Sequence, residues 1–283
     1  MRFEKWQALG NDYMIVERSD LPFELTPARI KHICRYHFGA GADGILLIEP
    51  SEDPELVASV RIYNPDGSEA ELSGNGIREA VMYLRRAGRT ELNEFAVGTA
   101  AGVIRPRIVS DDECEVAMGQ ASVTSKDFPD GPTDGRGLIT VGFTDLEFQH
   151  VSIGNPQCAI EIPGTQADLL ALNLRRIGPA LESDDRFPNR TNVSFWQRSG
   201  EHSIVARIFE RGVGETLSSG TGATGAAVAA HLRGMASPIT VTLDGGELLV
   251  AIDDDLNITL AGWAKPVFAG ELAPEFLTEL ENI

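Results

Sequence analysis

The chain contains two copies of one segment, and this internal repeat constrains its possible folds more than any other sequence feature. Arg61-Ile62-Tyr63 recurs 146 residues later as Arg207-Ile208-Phe209. Gly10-Asn11 recurs 144 residues later as Gly154-Asn155. Further pairs at the offset of 146 are Glu69 and Glu215, Ser73 and Ser219, Gly74 and Gly220, and Gly76 and Gly222. Matches at a nearly constant offset, close to half of the 283 residues, predict two domains built from one α/β unit.

The residues of each copy indicate how the repeated unit folds. Residues 60–63 alternate polar and apolar side chains, which predicts a half-buried strand, and residues 64–68 carry turn-forming residues. An apolar stripe at helical spacing follows, at Ile77, Ala80, Val81 and Leu84. In the second copy, small residues from Ala226 to Ala230 surround the helix and predict a sheet packed closely around it. We therefore predict an α+β fold of two pseudo-symmetric domains, each a curved, mixed or antiparallel sheet wrapped around a central helix.

The repeat also sets the expected domain boundaries. The N-terminal half takes residues 1–118 together with the tail 268–283, which we expect to pack back onto it. The C-terminal half takes residues 119–267. Residues 122–136 are rich in Asp, Pro, Gly and Ser, a composition typical of a linker.

Charge and cysteine content argue against several classes of protein. The 42 Asp and Glu residues outnumber the 24 Lys and Arg residues, and a formal net charge of −18 repels phosphate backbones and anionic lipid. We therefore expect no nucleic-acid or membrane partner. Cys34, Cys114 and Cys158 fit neither a disulfide framework nor a Cys-x-x-Cys metal site, and the five His residues lack metal-ligand spacing. We expect a cytoplasmic protein without a metal.

Each copy places a Ser-Gly-x-Gly segment at the predicted start of its helix. The first N–H groups of a helix have no partner within the helix, and the helix dipole favours negative charge there. Residues 73–76 and 219–222 are therefore candidate anion sites, suited to a substrate carboxylate. One such segment alone is more typical of an ordinary helix cap, but a second glycine that recurs at the same place favours binding.

Polar side chains near these segments are further candidates. Four Asn residues fall in loops or at strand ends: Asn11, Asn64, Asn155 and Asn192. In such places Asn alternatively satisfies the backbone of a turn. Glu210-Arg211 follows the repeated strand at the position that matches Asn64-Pro65. The pair is suited to an ammonium and a carboxylate, respectively, and the alternative is a surface ion pair worth about 0–1 kcal/mol.

Six motifs, in order along the chain, carry a resemblance to a known family. They are Ala8-Leu9-Gly10-Asn11-Asp12, Asn64-Pro65-Asp66-Gly67-Ser68-Glu69-Ala70-Glu71, Gly74-Asn75-Gly76-Ile77-Arg78, Gly154-Asn155-Pro156, residues 186–192, and residues 210–217. Together they resemble the diaminopimelate epimerase family over nearly the whole chain. The resemblance implies a site in the cleft between two pseudo-symmetric domains, no cofactor, and often a homodimer. It also implies the reaction, conversion of LL-diaminopimelate, a small zwitterionic amino acid, to its meso isomer for lysine and peptidoglycan precursor synthesis.

The resemblance also implies roles for individual residues. In that family two cysteines act on opposite faces of the substrate α-carbon, one removing a proton and the other delivering one. Ser73 and Ser219 occupy the matching catalytic positions, and Gln157 replaces a His that usually follows Gly-Asn-Pro. The implied substrate-binding residues are Asn11, Asn64, Gly74, Asn75, Asn155, Asn192, Glu210, Arg211, Gly220 and Thr221.

The two serines change the chemistry expected at these positions. A cysteine pKa of about 8.5 falls to roughly 3.5–7.5 at a helix N-terminus, whereas the pKa of water, the nearest analogue of a serine hydroxyl, is far higher. A gap of about 7 pKa units makes serine about 10 kcal/mol less favourable as a base, and a helix dipole worth ~0.3–2 kcal/mol does not close it. Serine therefore needs a neighbouring base, and the motifs show none.

Three functions are open on these grounds. The chain is a slow or assisted epimerase of diaminopimelate or another amino acid, a related isomerase that uses a carboxylate such as Glu210 as its base, or an amino-acid-binding protein without catalysis. The serines are either introduced replacements or natural residues. Gln157 and the Ser218-Ser219 pair favour natural residues, because a substitution made to trap a substrate would not need to change Gln157.

Overall fold

The chain divides into two compact units, one formed by two separate segments of the chain and the other by a single segment. The computed structural model describes residues 1–71, 73–141 and 144–283. Unit 1 comprises Met1–Val116 and Gly262–Ile283, and unit 2 is the continuous segment Ala117–Ala261. The predicted second half, 119–267, extends too far at its end, because Lys265–Glu271 pairs with Arg2–Ala8 in the sheet of unit 1.

Nineteen strands and six α-helices are present in the described ranges. The strands are β1 (Arg2–Ala8), β2 (Asn11–Glu17), β3 (Ile45–Glu49), β4 (Leu56–Tyr63), β5 (Glu69–Ala70), β6 (Ala96–Thr99), β7 (Gly102–Ile104), β8 (Arg107–Ile108), β9 (Glu113–Gln120), β10 (Arg136–Val141), β11 (Thr144–Ser152), β12 (Pro156–Glu161), β13 (Asn192–Gly200), β14 (Ser203–Glu210), β15 (Gly214–Thr216), β16 (Ile239–Leu243), β17 (Gly246–Ile252), β18 (Asn257–Trp263) and β19 (Lys265–Glu271). The helices are α1 (Pro27–Cys34), α2 (Gly74–Arg86), α3 (Gln166–Leu170), α4 (Leu174–Glu182), α5 (Gly220–Leu232) and α6 (Pro274–Glu281). None of these helices is both long and apolar enough to span a membrane.

The sheet of unit 1 has the strand order β19-β1-β2-β3-β4-β6-β7, with β5 paired to β4. The pairing is antiparallel for β1–β2, parallel for β2–β3, antiparallel for β3–β4, parallel for β4–β6 and antiparallel for β6–β7. The sheet is therefore mixed, and the C-terminal tail supplies its edge strand.

The sheet of unit 2 repeats this topology. Strands β10 to β18 run in the order β10-β11-β12-β13-β14-β16-β17-β18, with β15 paired to β14. From β11 to β17 the pairing follows the same succession of antiparallel and parallel neighbours as β1 to β7. The local registers also match, since Tyr63 pairs with Glu69 and Phe209 pairs with Glu215. The predicted α+β fold of two related units with mixed sheets is confirmed.

Each unit has one central helix that starts with a serine. Helices α2 and α5 have the same length, 13 residues, and begin 146 residues apart, as the repeat predicted. Helix α5 packs against β11, β12, β13, β14, β16 and β17. Its small side chains permit this approach, because a Cβ added at Gly225 would lie 2.8 Å from Cβ of Gln157 on β12. The sheet is therefore close enough to the helix for residues at its strand ends to reach the first helical turn.

Outer helices cover further apolar surface of each unit. In unit 1, the core includes Ile30 of α1 and Leu280 of α6. In unit 2, it includes Leu169 of α3 and Leu181 of α4. Phe128, within the predicted linker 122–136, is 7% exposed and packs in this core, so the segment is more than a connection.

A buried histidine in this second core makes the fold sensitive to acid. Burial lowers the pKa of His150 from 6.5 to about 4, against the opposing charge of Asp127. Between about pH 4 and pH 6.5, the imidazole of His150 is therefore neutral in the folded protein and protonated in the unfolded chain. Its contribution to stability is complete above pH 6.5 and is lost as the pH falls toward 4.

We expect His150→Gln to remove this part of the acid sensitivity. Between about pH 7 and pH 4, the original chain should lose about 3 kcal/mol more of its free energy of unfolding than the variant, as measured by urea unfolding. The control is His202→Gln, which removes an exposed imidazole. An equal change of pH dependence in both variants would contradict the assignment to His150.

Candidate functional site

The first candidate half-site is the start of helix α2. Ser73 has an extended backbone, with φ −136° and ψ 119°, and its Oγ accepts the N–H of Gly76 at 3.2 Å. The hydroxyl of Tyr13 donates to the same oxygen at 3.3 Å. Because Ser73 Oγ accepts two hydrogen bonds, its own proton remains available to donate.

A buried arginine organises the first turn of this helix. Arg78 is fully buried and donates to the carbonyl of Gly74 at 3.1 Å and to Oδ1 of Asn75 at 2.7 Å. Asn75 Nδ2 in turn donates to Oδ1 of Asn11 at 3.2 Å. Glu79, the neighbour of Arg78, is also fully buried, and burial raises the pKa of its carboxyl well above the usual range. The predicted residues Asn11, Gly74 and Asn75 are thus joined through Arg78, which the sequence analysis missed.

The carboxylate of Asp43 holds Asn11 in place at the start of β2. Asn11 Nδ2 donates to Oδ2 of Asp43 at 2.9 Å. The hydroxyl of Tyr36 donates to Asp43 at 2.8 Å and to Asp12 at 3.2 Å, and Lys5 forms an ion pair with Asp12. Burial, with help from Asp43, raises the pKa of Tyr36, which keeps its phenol a neutral donor.

The contacts of Asn64 are those of a turn residue. Its Nδ2 donates to Ser68 Oγ at 2.9 Å, and its backbone N–H donates to the Ser68 carbonyl. This is the structural role that the sequence analysis weighed as the alternative for Asn in a turn.

The second candidate half-site is the start of helix α5, and it contains a carboxylate. Ser219 has φ −146° and ψ 120°, and its Oγ accepts the N–H of Gly222 at 3.2 Å. Its hydroxyl also lies close enough to Glu210 to lower the pKa of that carboxyl. Thr216 Oγ1 donates to Glu210 Oε1 at 2.9 Å. Glu210, which the sequence analysis named as a candidate base, therefore lies near Ser219.

Opposing effects set the basicity of Glu210. Burial raises the pKa of its carboxyl, while the hydrogen bond from Thr216 and the nearby Ser219 hydroxyl lower it, and the net direction is upward. A carboxylate with a raised pKa is a stronger base than an exposed one, and it still titrates as an acid far more readily than a hydroxyl.

Asn155, Asn192 and Arg211 meet beside this helix start. Gln157 pairs with Asn192 between strands β12 and β13, and its Nε2 donates to Asn155 Oδ1 at 2.7 Å. Asn155 Nδ2 donates to Thr221 Oγ1 at 3.3 Å. Asn192 Oδ1 accepts the backbone N–H of Arg211 at 2.8 Å. The structure thus brings these predicted binding residues into one hydrogen-bonded group.

A cavity of about 560 Å³ adjoins this group within unit 2. It is lined by Lys126, Asp127, Gly154, Asn155, Pro156, Pro188, Asn189, Arg190 and Arg211. Three cationic side chains against one carboxylate make it suited to an anionic group. Arg211 Nη1 donates to the carbonyl of Asn189 at 2.8 Å, which fixes the guanidinium at the cavity wall.

The cysteines are not substitutes for the two serines. Burial raises the pKa of Cys34 and of Cys114 to about 12, and it raises that of Cys158 as well. A buried thiol with a raised pKa is not a nucleophile or base near neutral pH. Within residues 1–71, 73–141 and 144–283, no cluster of His, Cys, Asp and Glu side chains could hold a metal ion.

Part of what the sequence analysis missed was visible in the repeat. Tyr13 and Gln157 are 144 residues apart, the offset of Asn11 and Asn155 in the repeat. Tyr13, which contacts Ser73, and Gln157, which contacts Asn155, therefore occupy matching positions of the two copies. Arg78 lies three residues after Asn75 and four after Gly74, which is the spacing of neighbours on one helix face.

Solved structures of other proteins share this fold of two related units, each with a mixed sheet packed on a central helix. A probable proline racemase from Agrobacterium radiobacter has a TM-score of 0.68 and 15% identity, with coverage of 96% of this chain and 93% of that chain. A PhzF-family phenazine biosynthesis protein from Bacillus anthracis has a TM-score of 0.68 and 18% identity, with coverage of 96% and 99%. These likenesses show the fold.

Sequence comparison identifies the family within this fold class. The profile described as diaminopimelate epimerase matches residues 3–124 and 149–265. Diaminopimelate epimerase 2 of Nostoc sp. is 39% identical over 280 residues, with coverage of 97% of this chain and 96% of the relative. The diaminopimelate epimerase of Pelotomaculum thermopropionicum is 37% identical over 281 residues, with coverage of 96% and 98%. The chain belongs to the diaminopimelate epimerase family.

The buried position of Arg78 leads to a prediction about stability. Arg78→Met should lower the free energy of unfolding by about 3–5 kcal/mol, because it removes two hydrogen bonds donated by a buried guanidinium and the positive charge that partly offsets the burial of Glu79. Arg86→Met, in the same helix, removes a half-exposed arginine paired with Glu4 and should lower it by about 0–1 kcal/mol. Chemical denaturation of both variants measures the free energy of unfolding. Equal decreases in the two variants would show that the buried Arg78 contributes no more to stability than the exposed Arg86.

Proposed function

We propose that this protein is an epimerase of the diaminopimelate type that converts LL-diaminopimelate to the meso isomer without a cofactor. The observation that carries the proposal is the match to the family over nearly the whole chain, with both serine-capped helix starts in place. The product would serve lysine and peptidoglycan precursor synthesis.

In this proposal, the two helix starts bind a zwitterionic amino acid. The backbone N–H groups of Gly74, Asn75, Gly220 and Thr221 are directed at a substrate carboxylate, where the helix dipoles favour negative charge. Arg211 binds a carboxylate, and Glu210 attracts an ammonium group. The amide side chains that complete the recognition of the substrate are Asn11, Asn64, Asn155 and Asn192.

Inversion at the α-carbon then needs a base on one face and an acid on the other. Ser219 and Ser73 take these positions. Carboxylate binding at the helix starts stabilises the negative charge that develops when the α-proton leaves.

A second candidate is a related isomerase in which Glu210 itself removes the proton. The position of Glu210 near Ser219 favours this candidate over binding without catalysis, because it places a basic group at the helix start. Chirally pure diaminopimelate separates the two reactions, since only an epimerase forms the other stereoisomer.

A cytoplasmic location and a homodimer complete the proposal. The three free, buried thiols support a reducing compartment. Light scattering and fractionation of cells that produce the full chain test these two points.

The reaction is tested by deuterium incorporation at the α-carbon of LL-diaminopimelate in heavy water. The parent should exchange slowly, and the variant with both Ser73→Cys and Ser219→Cys should exchange faster, because a thiol at a helix N-terminus supplies a base that a hydroxyl does not. Each single change should do far less. Ser110→Cys adds a thiol at an exposed turn and serves as the control.

Three outcomes separate the candidate functions. Exchange that also yields meso-diaminopimelate supports the epimerase. Calorimetric binding without exchange in any variant leaves an amino-acid-binding protein. A parent as fast as the double variant would show that the serines are not limiting and that another base performs the reaction.

Arg211 provides an independent test of substrate binding. Arg211→Ala should weaken diaminopimelate binding roughly tenfold to hundredfold, because a charge-assisted hydrogen bond contributes about 1.5–3 kcal/mol. The control is Arg198→Ala, which removes a cation from β13 away from the cavity that Arg211 lines, and it should leave the affinity unchanged. Calorimetric titration measures both, and an unchanged affinity for Arg211→Ala would refute the carboxylate role.

A further inference from the structure

We propose that Glu182 is a positioning residue that holds Arg211 in place for the binding of a substrate carboxylate. The inference rests on the proposed function, in which Arg211 binds that carboxylate. Glu182 lies outside the set of residues that line the cavity, and it acts through two segments of chain that it connects.

Glu182, the last residue of α4, is a buried carboxylate that binds two separate segments of unit 2. It is 8% exposed. Its Oε1 accepts the backbone N–H of Gly212 at 2.8 Å and Nη1 of Arg190 at 2.9 Å. Its backbone carbonyl accepts the N–H of Thr191 at 2.9 Å. One residue thus joins the turn 211–213, between β14 and β15, to the loop that precedes β13.

Arg211 depends on both of these segments. Its Nη1 donates to the carbonyl of Asn189 at 2.8 Å. Arg190 directly follows Asn189 and donates to Glu182. Gly212 directly follows Arg211 and donates to the same carboxylate oxygen. One carboxylate thus fixes both the backbone that carries the guanidinium and the segment whose carbonyl receives it.

The turn 211–213 has little packing to hold it in place. Val213 is 73% exposed, and a Cβ added at Gly212 would have only its chain neighbours within 4 Å. A segment with few packing contacts opens at a low cost in free energy. The hydrogen bonds of its backbone, including the one to Glu182, therefore determine the position of Arg211.

Glu182 also compensates one of the charges at the cavity. Arg190, Arg211 and Lys126 are the cations that line it. Arg190 forms an ion pair with Glu182. Arg211 is instead held by a carbonyl oxygen, which fixes the guanidinium without neutralising it. The cation left to bind a substrate carboxylate from this side of the cavity is therefore Arg211 rather than Arg190.

The corresponding turn of unit 1 is fixed in a different way. Asp66 lies 146 residues before Gly212, and its Oδ1 accepts the backbone N–H of Ser68 at 2.9 Å. In each unit a carboxylate therefore accepts a backbone N–H of this turn. The carboxylate of unit 1 belongs to the turn itself, whereas that of unit 2 comes from Glu182 at the end of α4. The turn that carries an arginine is thus the one fixed from outside.

A double-mutant cycle on diaminopimelate affinity tests the inference with four proteins: the parent, Glu182→Met, Arg211→Ala and the combination of both changes. Glu182→Met keeps most of the side-chain volume and removes the acceptor. In the parent background it should weaken binding about tenfold, because Arg211 is no longer held in place. In the Arg211→Ala background it should weaken binding by less than about twofold, because the group that Glu182 positions is absent. Calorimetric titration measures all four affinities.

A conservative variant and a matched control accompany the cycle. Glu182→Gln retains an oxygen that accepts the N–H of Gly212, so its affinity should stay within about threefold of the parent. Asp184→Ala removes a carboxylate two residues away that pairs with Arg186 at 2.6 Å, and it should leave the affinity unchanged. Glu182→Ala removes the same acceptor as Glu182→Met and takes its place if that variant does not fold.

Hydrogen exchange followed by mass spectrometry examines the turn without any ligand. The amides of residues 210–214 should exchange about tenfold faster in Glu182→Met than in the parent, and at nearly the parent rate in Glu182→Gln. A peptide from the core strand β16 is the internal reference. A general loss of stability would accelerate exchange in both peptides, whereas loss of the anchor accelerates exchange in the turn alone.

Each remaining outcome decides the inference. Equal losses of affinity from Glu182→Met in both backgrounds would mean that Glu182 does not act through Arg211, and the inference would be wrong. Unchanged affinity in Glu182→Met or in Arg211→Ala would also overturn it. If the parent does not bind diaminopimelate, the proposed function fails, and hydrogen exchange then decides the inference alone. Faster exchange confined to the turn supports it, and unchanged exchange overturns it.

Discussion

Close packing of each central helix against its sheet is the constraint on which the candidate site depends. Small residues along α5 let the sheet approach until Gly225 faces Cβ of Gln157. Because the helix lies this near, Asn155, just before β12, reaches Thr221 in its first turn, and Glu210, at the end of β14, lies near Ser219. The polar groups of the site are thus arranged by a purely steric property of the helix.

The repeat made much of this architecture predictable. It gave the two related units, their mixed sheets and both serine-capped helices, since a turn signal and helical periodicity are local properties. The proximity of Ser219 to Glu210 could not be read locally, because it depends on how a strand end meets a helix, whereas the helical spacing of Arg78 and Asn75 was visible in the sequence. Composition also concealed Phe128, whose core position depends on tertiary packing with residues far along the chain.

Serine at the two positions looked incompatible with proton removal when each residue was considered alone. The surroundings change that assessment, because the acidity of a group depends on what can take or supply its proton. Glu210 next to Ser219 and Tyr13 next to Ser73 supply different partners to equivalent residues. The two related helix starts therefore surround equivalent serines with different side chains.

The origin of the edge strand in unit 1 has a consequence for synthesis of the chain. In unit 2 the strand beside β11 comes from the adjacent segment, whereas in unit 1 the strand beside β1 is β19, from the C-terminal tail. A ribosome therefore delivers all of unit 2 before it delivers the last strand of unit 1. Synthesis of unit 1 therefore starts first and ends last, and one edge of β1 remains unpaired through most of translation. An unpaired edge strand is open to pairing with the wrong strand or with another chain.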